Sequence, residues 1–186
     1  VEFIRPLSEK AASLNIDFMC TPFSPDSAEF LEPFVKYHKI ASGDLNYWPL
    51  LNVLVNSGKP IFLSTGGSWG DEEIDKAVEI CNNGNTINNT VLMHCVSSYP
   101  ARRSALLRIL KLGALYPDSV LGYSDHTLDI YDIPKMAIHL GARVLEKHVN
   151  FIDAKHTEKD VTDNLEWLHP LLADNALLFF DDINYL

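Results

Sequence analysis

Short runs that are apolar at every position alternate with longer runs whose apolar residues recur at spacings of three and four. The first kind reads as buried parallel strand and the second as amphipathic helix. Leu7, Ala11 and Leu14 predict a helix over residues 3–14, closed by Asn15. Residues 16–20 form a strand that ends at Thr21-Pro22-Phe23. Ser24 suits a helix N-cap and Pro25 a first turn, so a helix with Ala28 and Leu31 inward follows. Residues 37–41 are the next strand, and Leu50, Leu51, Leu54 and Val55 mark a helix that stops at Ser57-Gly58. Residues 60–63 are a strand, and Ile74, Ala77, Val78 and Cys81 share a helix face. Residues 91–95 are a strand, followed by a helix over 103–115. Val120-Leu121 lead into a polar cluster, Gly122-Tyr123-Ser124-Asp125-His126-Thr127, before a helix over 128–140. Residues 142–145 form the sixth strand, and the apolar tail that includes residues 176–180 predicts a closing helix.

Strand and helix thus alternate six times, with about 20 to 28 residues per unit. That alternation means a parallel sheet with right-handed crossovers. Every strand ends in polar residues: Thr21, then Ser42 and Asp44, Ser64 and Thr65, Ser97 and Ser98, Ser124 to Thr127, and Glu146 to His148. Ligands of parallel α/β folds sit at those C-terminal strand ends. An open doubly wound sheet would collect its polar residues at one switch point, whereas six polar ends favour a ring. The predicted fold is α/β of the (β/α)8 TIM-barrel type. About six of the eight βα units, strands 3–8 with their helices, are expected in residues 1–186. Two absent strands would leave two open sheet edges, which invite aggregation unless something covers them.

Composition narrows the function classes. A net charge of -10 argues against a general nucleic-acid or membrane-surface binder. Cys20, Cys81 and Cys95 are odd in number and widely spaced, which reads as a reducing compartment rather than a disulfide framework. No apolar run reaches 18 residues and no leader pattern is visible, so a cytoplasmic protein without a membrane span is expected.

The chemistry concentrates at two neighbouring strand ends. His126 and His148 follow consecutive strands joined by one helix, so they can face each other across a shared mouth. A lone histidine is usually structural, and His38, His94, His139, His156 and His169 are read that way.

Several motifs resemble the sialic acid synthase family, which makes N-acetylneuraminate, legionaminate and pseudaminate. They are Cys20-Thr21-Pro22-Phe23, Lys39-Ile40-Ala41-Ser42-Gly43-Asp44, Gly58 to Gly66, His94 to Pro100, Gly122 to Thr127 and Glu146-Lys147-His148. The resemblance spans about residues 7 to 165, with the motifs in order. It implies a barrel enzyme that condenses phosphoenolpyruvate with an N-acylated amino sugar, such as N-acetylmannosamine, and releases phosphate. It further implies a divalent metal, manganese first and magnesium as the alternative, and a homodimer. Relative to that family the chain lacks the first two strands, which carry an acidic residue near the sugar and a lysine on the phosphate. It also lacks the antifreeze-like C-terminal domain, whose arginine reaches into the partner's site.

Within that frame His126 and His148 are the metal ligands, since two imidazoles suit a borderline ion and leave positions for water and substrate oxygen. Thr21, Lys39, Ser42, Ser64, Ser97 and Ser124 are the phosphoenolpyruvate cradle, with Lys147, between Glu146 and His148, either a competing phosphate ligand or an ion-paired residue. The alternative for each Ser or Thr is a cap on the following helix. Asp44, Tyr99 and Asp160 are sugar-side groups, with Asp44 also a candidate general base. Asp125 either orients an imidazole or caps a turn. Two other readings compete: a different phosphoenolpyruvate–aldose synthase, disfavoured by the Y-S-D-H-T and E-K-H motifs, and a non-catalytic fragment of such a barrel.

Overall fold

The computed structural model describes residues 3–67, 69–83, 89–102 and 104–148, together with the backbone of one strand at 177–180. Its strands are β1 (Asp17–Cys20), β2 (His38–Ile40), β3 (Ile61–Ser64), β4 (Thr90–Cys95), β5 (Val120–Asp125), β6 (Val144–Lys147) and β7 (Leu177–Phe180). Its helices are α1 (Ile4–Ser13), α2 (Pro25–Leu31), α3 (Trp48–Asn56), α4 (Asp71–Asn83), α5 (Leu107–Leu115) and α6 (Asp132–His139).

Strands β2 to β6 form one parallel sheet in the order β2-β3-β4-β5-β6. Spatial order equals chain order, with no reversal. A doubly wound sheet needs a reversal, so this is the winding of a barrel wall. Local signals mark the boundaries. Ser24 accepts from the Ser27 N–H at 3.1 Å and caps α2, and Asn15 (φ 56°) and Gly58 (φ 74°) take left-handed conformations after α1 and α3.

Side chains alternate between two cores. Outward residues pack under the helices: Ile40, Ile61, Leu63 and Leu92 meet Leu50, Leu51, Leu54, Ile74 and Cys81. Phe18 and Cys20 of β1 pack outward on Leu7, Ala11 and Leu31. Inward residues Met19, Phe62, Val91 and Met93 form a separate interior cluster, with Tyr37 and Val144 against it. The same alternation places Lys39, Ser64, Cys95, Ser124 and Glu146 inward, above that cluster.

Three expectations shift. β5 runs on through Gly122, Tyr123, Ser124 and Asp125, so most of the polar cluster lies inside the strand. Helix α6 begins at Asp132 rather than 128, because the Asp129 carboxylate accepts the N–H groups of Tyr131 and Ile133, each at 3.0 Å. The tail segment 177–180 is a strand, not part of a helix: it pairs parallel with β1, from Asp17↔Leu177 to Cys20↔Phe180. A four-residue apolar run carries no periodicity that separates a buried strand from a buried helix turn.

Candidate active site

The mouth is built from strand ends in register. Cys95, Ser124 and Glu146 are aligned across β4, β5 and β6, forming one inward-facing layer. Lys39 reaches this layer from β2, its Nζ 3.4 Å from Glu146 Oε1, with both side chains at least nine-tenths buried. Glu146 Oε2 and Thr21 Oγ1 are buried without a hydrogen-bond partner among the described residues. Buried polar atoms are seldom left so, and both belong to strand ends around the same mouth.

Small residues make room for this layer. A Cβ on Gly66 would lie 2.2 Å from Cys95 Sγ, and one on Gly122 would lie 2.1 Å from Met93 Sδ. Burial raises the Cys95 thiol pKa, which keeps it protonated beside the Ser42 hydroxyl. Ser42 Oγ in turn lies 3.2 Å from Ser97 Oγ, linking the loops after β2 and β4. Ser64 is buried at the end of β3. None of these hydroxyls caps a helix: the N-cap residues of α3, α5 and α6 make no side-chain cap bond, α6 being started by Asp129, and Ser64 lies a full loop before α4.

Above the layer sit three rings. The His126 and His148 centroids are 4.4 Å apart and nearly perpendicular at 84°. Tyr99, largely exposed, stacks on His126 at 4.1 Å and meets His148 edge-on at 5.0 Å. His126 Nδ1 lies 2.6 Å from the Val96 carbonyl oxygen. A carbonyl only accepts, so Nδ1 carries the proton. Burial, then the neighbouring His148, lowers the His126 pKa. The neutral ring therefore presents a lone pair at Nε2, which lies 3.1 Å from Ser124 Oγ. This is the arrangement in which a backbone carbonyl fixes the tautomer of a metal-ligating imidazole. The described residues contain no cluster of three or more His, Cys, Asp or Glu groups suited to a metal. The donor set in hand is thus the imidazole pair, which suits an ion whose remaining positions go to water and substrate oxygen.

Lys147, on the outward parity, is not a phosphate ligand. Its ammonium donates to Asp125 Oδ2 at 2.6 Å and to the carbonyls of Thr127 at 2.6 Å and Asp129 at 2.7 Å. All three donors are spent. Asp125 also accepts from the Thr127 N–H at 2.9 Å and from the Tyr123 hydroxyl at 3.2 Å. It therefore caps the turn and does not orient an imidazole. Burial pushes the Asp125 carboxyl up, but Lys147 and the Thr127 N–H outweigh it and the net shift is down.

The fold brings Lys39, Ser42, Ser64, Ser97, Tyr99, Ser124, His126 and His148 to one end of the sheet, with Thr21 at the matching end of β1. Asp44 closes a 3-10 turn, Ser42–Asp44, on the rim after β2. Asp160 lies outside the described residues, as do His156 and His169. His38, His94 and His139 are structural: they meet Glu32 and Ser57, the Ser104 carbonyl, and the Lys135 carbonyl. Two members of the layer, Glu146 and Cys95, have no place in the sequence-derived set. Inward parity with Ser124 is the signal that finds them.

The chain matches the NeuB family over residues 1–167. It is 38% identical over 147 residues to the N,N'-diacetyllegionaminic acid synthase of Legionella pneumophila, covering 76% of this chain and 41% of that one. It is 34% identical over 150 residues to the spore coat polysaccharide biosynthesis protein SpsE of Bacillus subtilis, covering 79% and 40%. The crystal structure of SpsE superposes with a TM-score of 0.76 at 28% identity, over 96% of this chain and 54% of that one. The N-acetylneuraminic acid synthetase of Leptospira borgpetersenii, solved with citrate, gives 0.73 at 30% identity, over 95% and 65%. The chain spans about two-fifths of the length of the curated relatives it matches.

Proposed function

The chain belongs to the NeuB family, and from that premise we propose that it is the barrel portion of a synthase joining phosphoenolpyruvate to an N-acylated amino sugar. The product is a sialic acid or related nonulosonate, and phosphate is released. The observation that carries this reading is the pair of imidazoles at the ends of β5 and β6, one of them locked with its Nε2 lone pair toward the mouth.

In this reading Lys39 and the hydroxyls of Thr21, Ser42, Ser64, Ser97 and Ser124 receive the phosphate and carboxylate of phosphoenolpyruvate. Convergent short donors and one point charge suit such groups. The buried Glu146 tethers the Lys39 ammonium until an anion arrives. Tyr99 offers its exposed ring as a wall for the sugar, with Asp44 and Asp160 reading its hydroxyls from the rim. The carbon–carbon bond forms between C3 of phosphoenolpyruvate and the aldehyde carbon. Water adds at C2 and phosphate departs, with Asp44 as the candidate proton acceptor. His126 and His148 hold a divalent ion, manganese first and magnesium second, which when bound supplies Lewis-acid polarisation of the aldehyde oxygen.

The test is phosphate release from phosphoenolpyruvate and N-acetylmannosamine with manganese. It is run on this chain and on a longer form carrying two further N-terminal βα units. Sugar-dependent release in the longer form supports the reading, and its absence from both forms with every N-acyl sugar tried would sink it. The same assay with the phosphorylated pentose and tetrose substrates of other phosphoenolpyruvate–aldose synthases tests the second reading. Manganese binding without turnover in either form would point to a non-catalytic barrel.

A further inference from the structure

The loop after β3 lies against both members of the Ser42–Ser97 hydroxyl pair. On one side Gly66 passes so close to the loop after β4 that a Cβ there would lie 3.0 Å from Ser97 Oγ. On the other side the Trp69 indole Nε1–H donates to the Ser42 carbonyl. Gly67, between them, takes a left-handed φ of 87° that turns the chain toward Ser42. A Cβ on it would meet Trp69 Nε1 at 3.4 Å and the Ser42 carbonyl oxygen at 3.8 Å. The Trp69 ring itself is half-buried and packs on the core that α3 and α4 form with the outward side of the sheet. An indole N–H only donates, so a ring anchored in the core presents one fixed donor to the loop after β2.

We propose that Trp69 is a positioning residue for the anion cradle: by holding the Ser42 carbonyl it sets the peptide plane after Ser42 and so aims the Ser42 hydroxyl at Ser97. This rests on the synthase reading above, in which both hydroxyls receive phosphoenolpyruvate. Ser42 opens a 3-10 turn of only three residues, Ser42–Asp44, and the residue before it, Ala41, makes no side-chain cap bond. A turn that short has no run of helical bonds to fix its first residue. The hold comes from outside the turn, and the indole supplies it. The Ser42 hydroxyl lies 3.2 Å from Ser97 Oγ and also meets the buried Cys95 thiol. Ser42 Oγ is therefore the junction of the loops after β2 and β4, and its aim is what Trp69 controls.

A double-mutant cycle on phosphoenolpyruvate binding tests this, read by calorimetry in whichever of the present chain and the longer form binds it. Trp69→Phe and Trp69→Met keep an apolar side chain on the core and delete the donor. Each is expected to weaken phosphoenolpyruvate binding about tenfold, the size of one lost hydrogen bond, and to leave manganese affinity unchanged. Ser42→Ala is expected to weaken it by a similar factor. Combined with Ser42→Ala, Trp69→Phe is expected to add nothing, because a residue that acts through another is not additive with it. Factors that multiply in the double variant mean that Trp69 does not act through Ser42, and they overturn the proposal. So does unchanged phosphoenolpyruvate affinity in both Trp69 variants, or an equal loss of manganese affinity, which would mark a general loosening of the mouth. Failure of both Trp69 variants to fold would assign the indole to the core alone and overturns it as well. Absence of phosphoenolpyruvate binding from both unaltered forms sinks the synthase reading and this assignment with it. An unaltered protein that binds, beside Trp69 variants that bind equally well, sinks the assignment alone.

Discussion

His126 donates its Nδ1 proton to the Val96 carbonyl across 2.6 Å, so the loop after β4 decides which ring nitrogen of the residue after β5 faces the mouth. The acceptor is a backbone carbonyl and not a side chain that substitution could remove.

If the imidazole pair holds the ion, His126→Ala and His148→Ala should each lower manganese affinity at least about 100-fold. Ser124→Ala should not lower it, because that hydroxyl lies 3.1 Å from Nε2 and can only compete with the ion for the same lone pair. Calorimetry on the chain reads this directly. Retained affinity in either His variant counts against the assignment.

Gly66→Ala should damage the proposed phosphoenolpyruvate cradle more than Gly122→Ala does. The new methyl at 66 meets Cys95 Sγ at 2.2 Å and also the Cys95 carbonyl and Ser97 Oγ, each at 3.0 Å, whereas at 122 it meets chiefly the adaptable Met93 side chain. Overpacking of this kind costs about 1–3 kcal/mol. The check is the melting temperature of both variants with and without phosphoenolpyruvate. Ligand-induced stabilisation should vanish for Gly66→Ala and survive in Gly122→Ala.

Lys147→Met should destabilise the chain by about 2–4 kcal/mol, because it strands the buried Asp125 carboxylate and two carbonyls. Adding Asp125→Asn should recover part of the loss. Urea denaturation of the single and double variants measures both numbers, and a near-neutral Lys147→Met would show the clamp to be dispensable.

Acid should weaken the fold from about pH 6.5 downward. Burial lowers the pKa values of His38, His94 and His126 below the ordinary imidazole range. Unfolded, each titrates near pH 6.5. The folded form binds fewer protons, so stability is full above that pH and falls as pH drops toward the depressed folded values. The slope reaches at most about 4 kcal/mol per pH unit if all three act together. Urea midpoints at pH 7.5 and 5.5 test the sign, and equal midpoints would contradict it.

The six wall strands and the side of the sheet that carries chemistry were legible because buried parallel strands are apolar throughout while their ends must receive ligands. The motif at Gly122–Thr127 was placed after its strand because polar residues resemble loop. Near a barrel mouth, however, alternate polar side chains point either inward, as Ser124 does, or outward, as Asp125 does. For the same reason the sequence leaves Lys147 open between a phosphate ligand and an ion-paired residue, since composition alone does not state parity; the ion pair with Asp125 is what forms. Glu146 is overshadowed by the more conspicuous Lys147 and His148 that follow it. The start of α6 was hidden because its boundary is set by the Asp129 carboxylate and not by the apolar period.

Sheet neighbours from β2 to β6 are also chain neighbours, so these contacts can form one after another as the polypeptide emerges. The β1–β7 ladder is the exception, joining residues about 160 positions apart. Closing so long a loop costs ~4.5 kcal/mol in chain entropy alone, against only four residue pairs of ladder. That seam is therefore expected to close last during folding and to open first under tension. The order of assembly runs from the middle of the wall outward, with β1 and β7 meeting only when β2 to β6 are already in place.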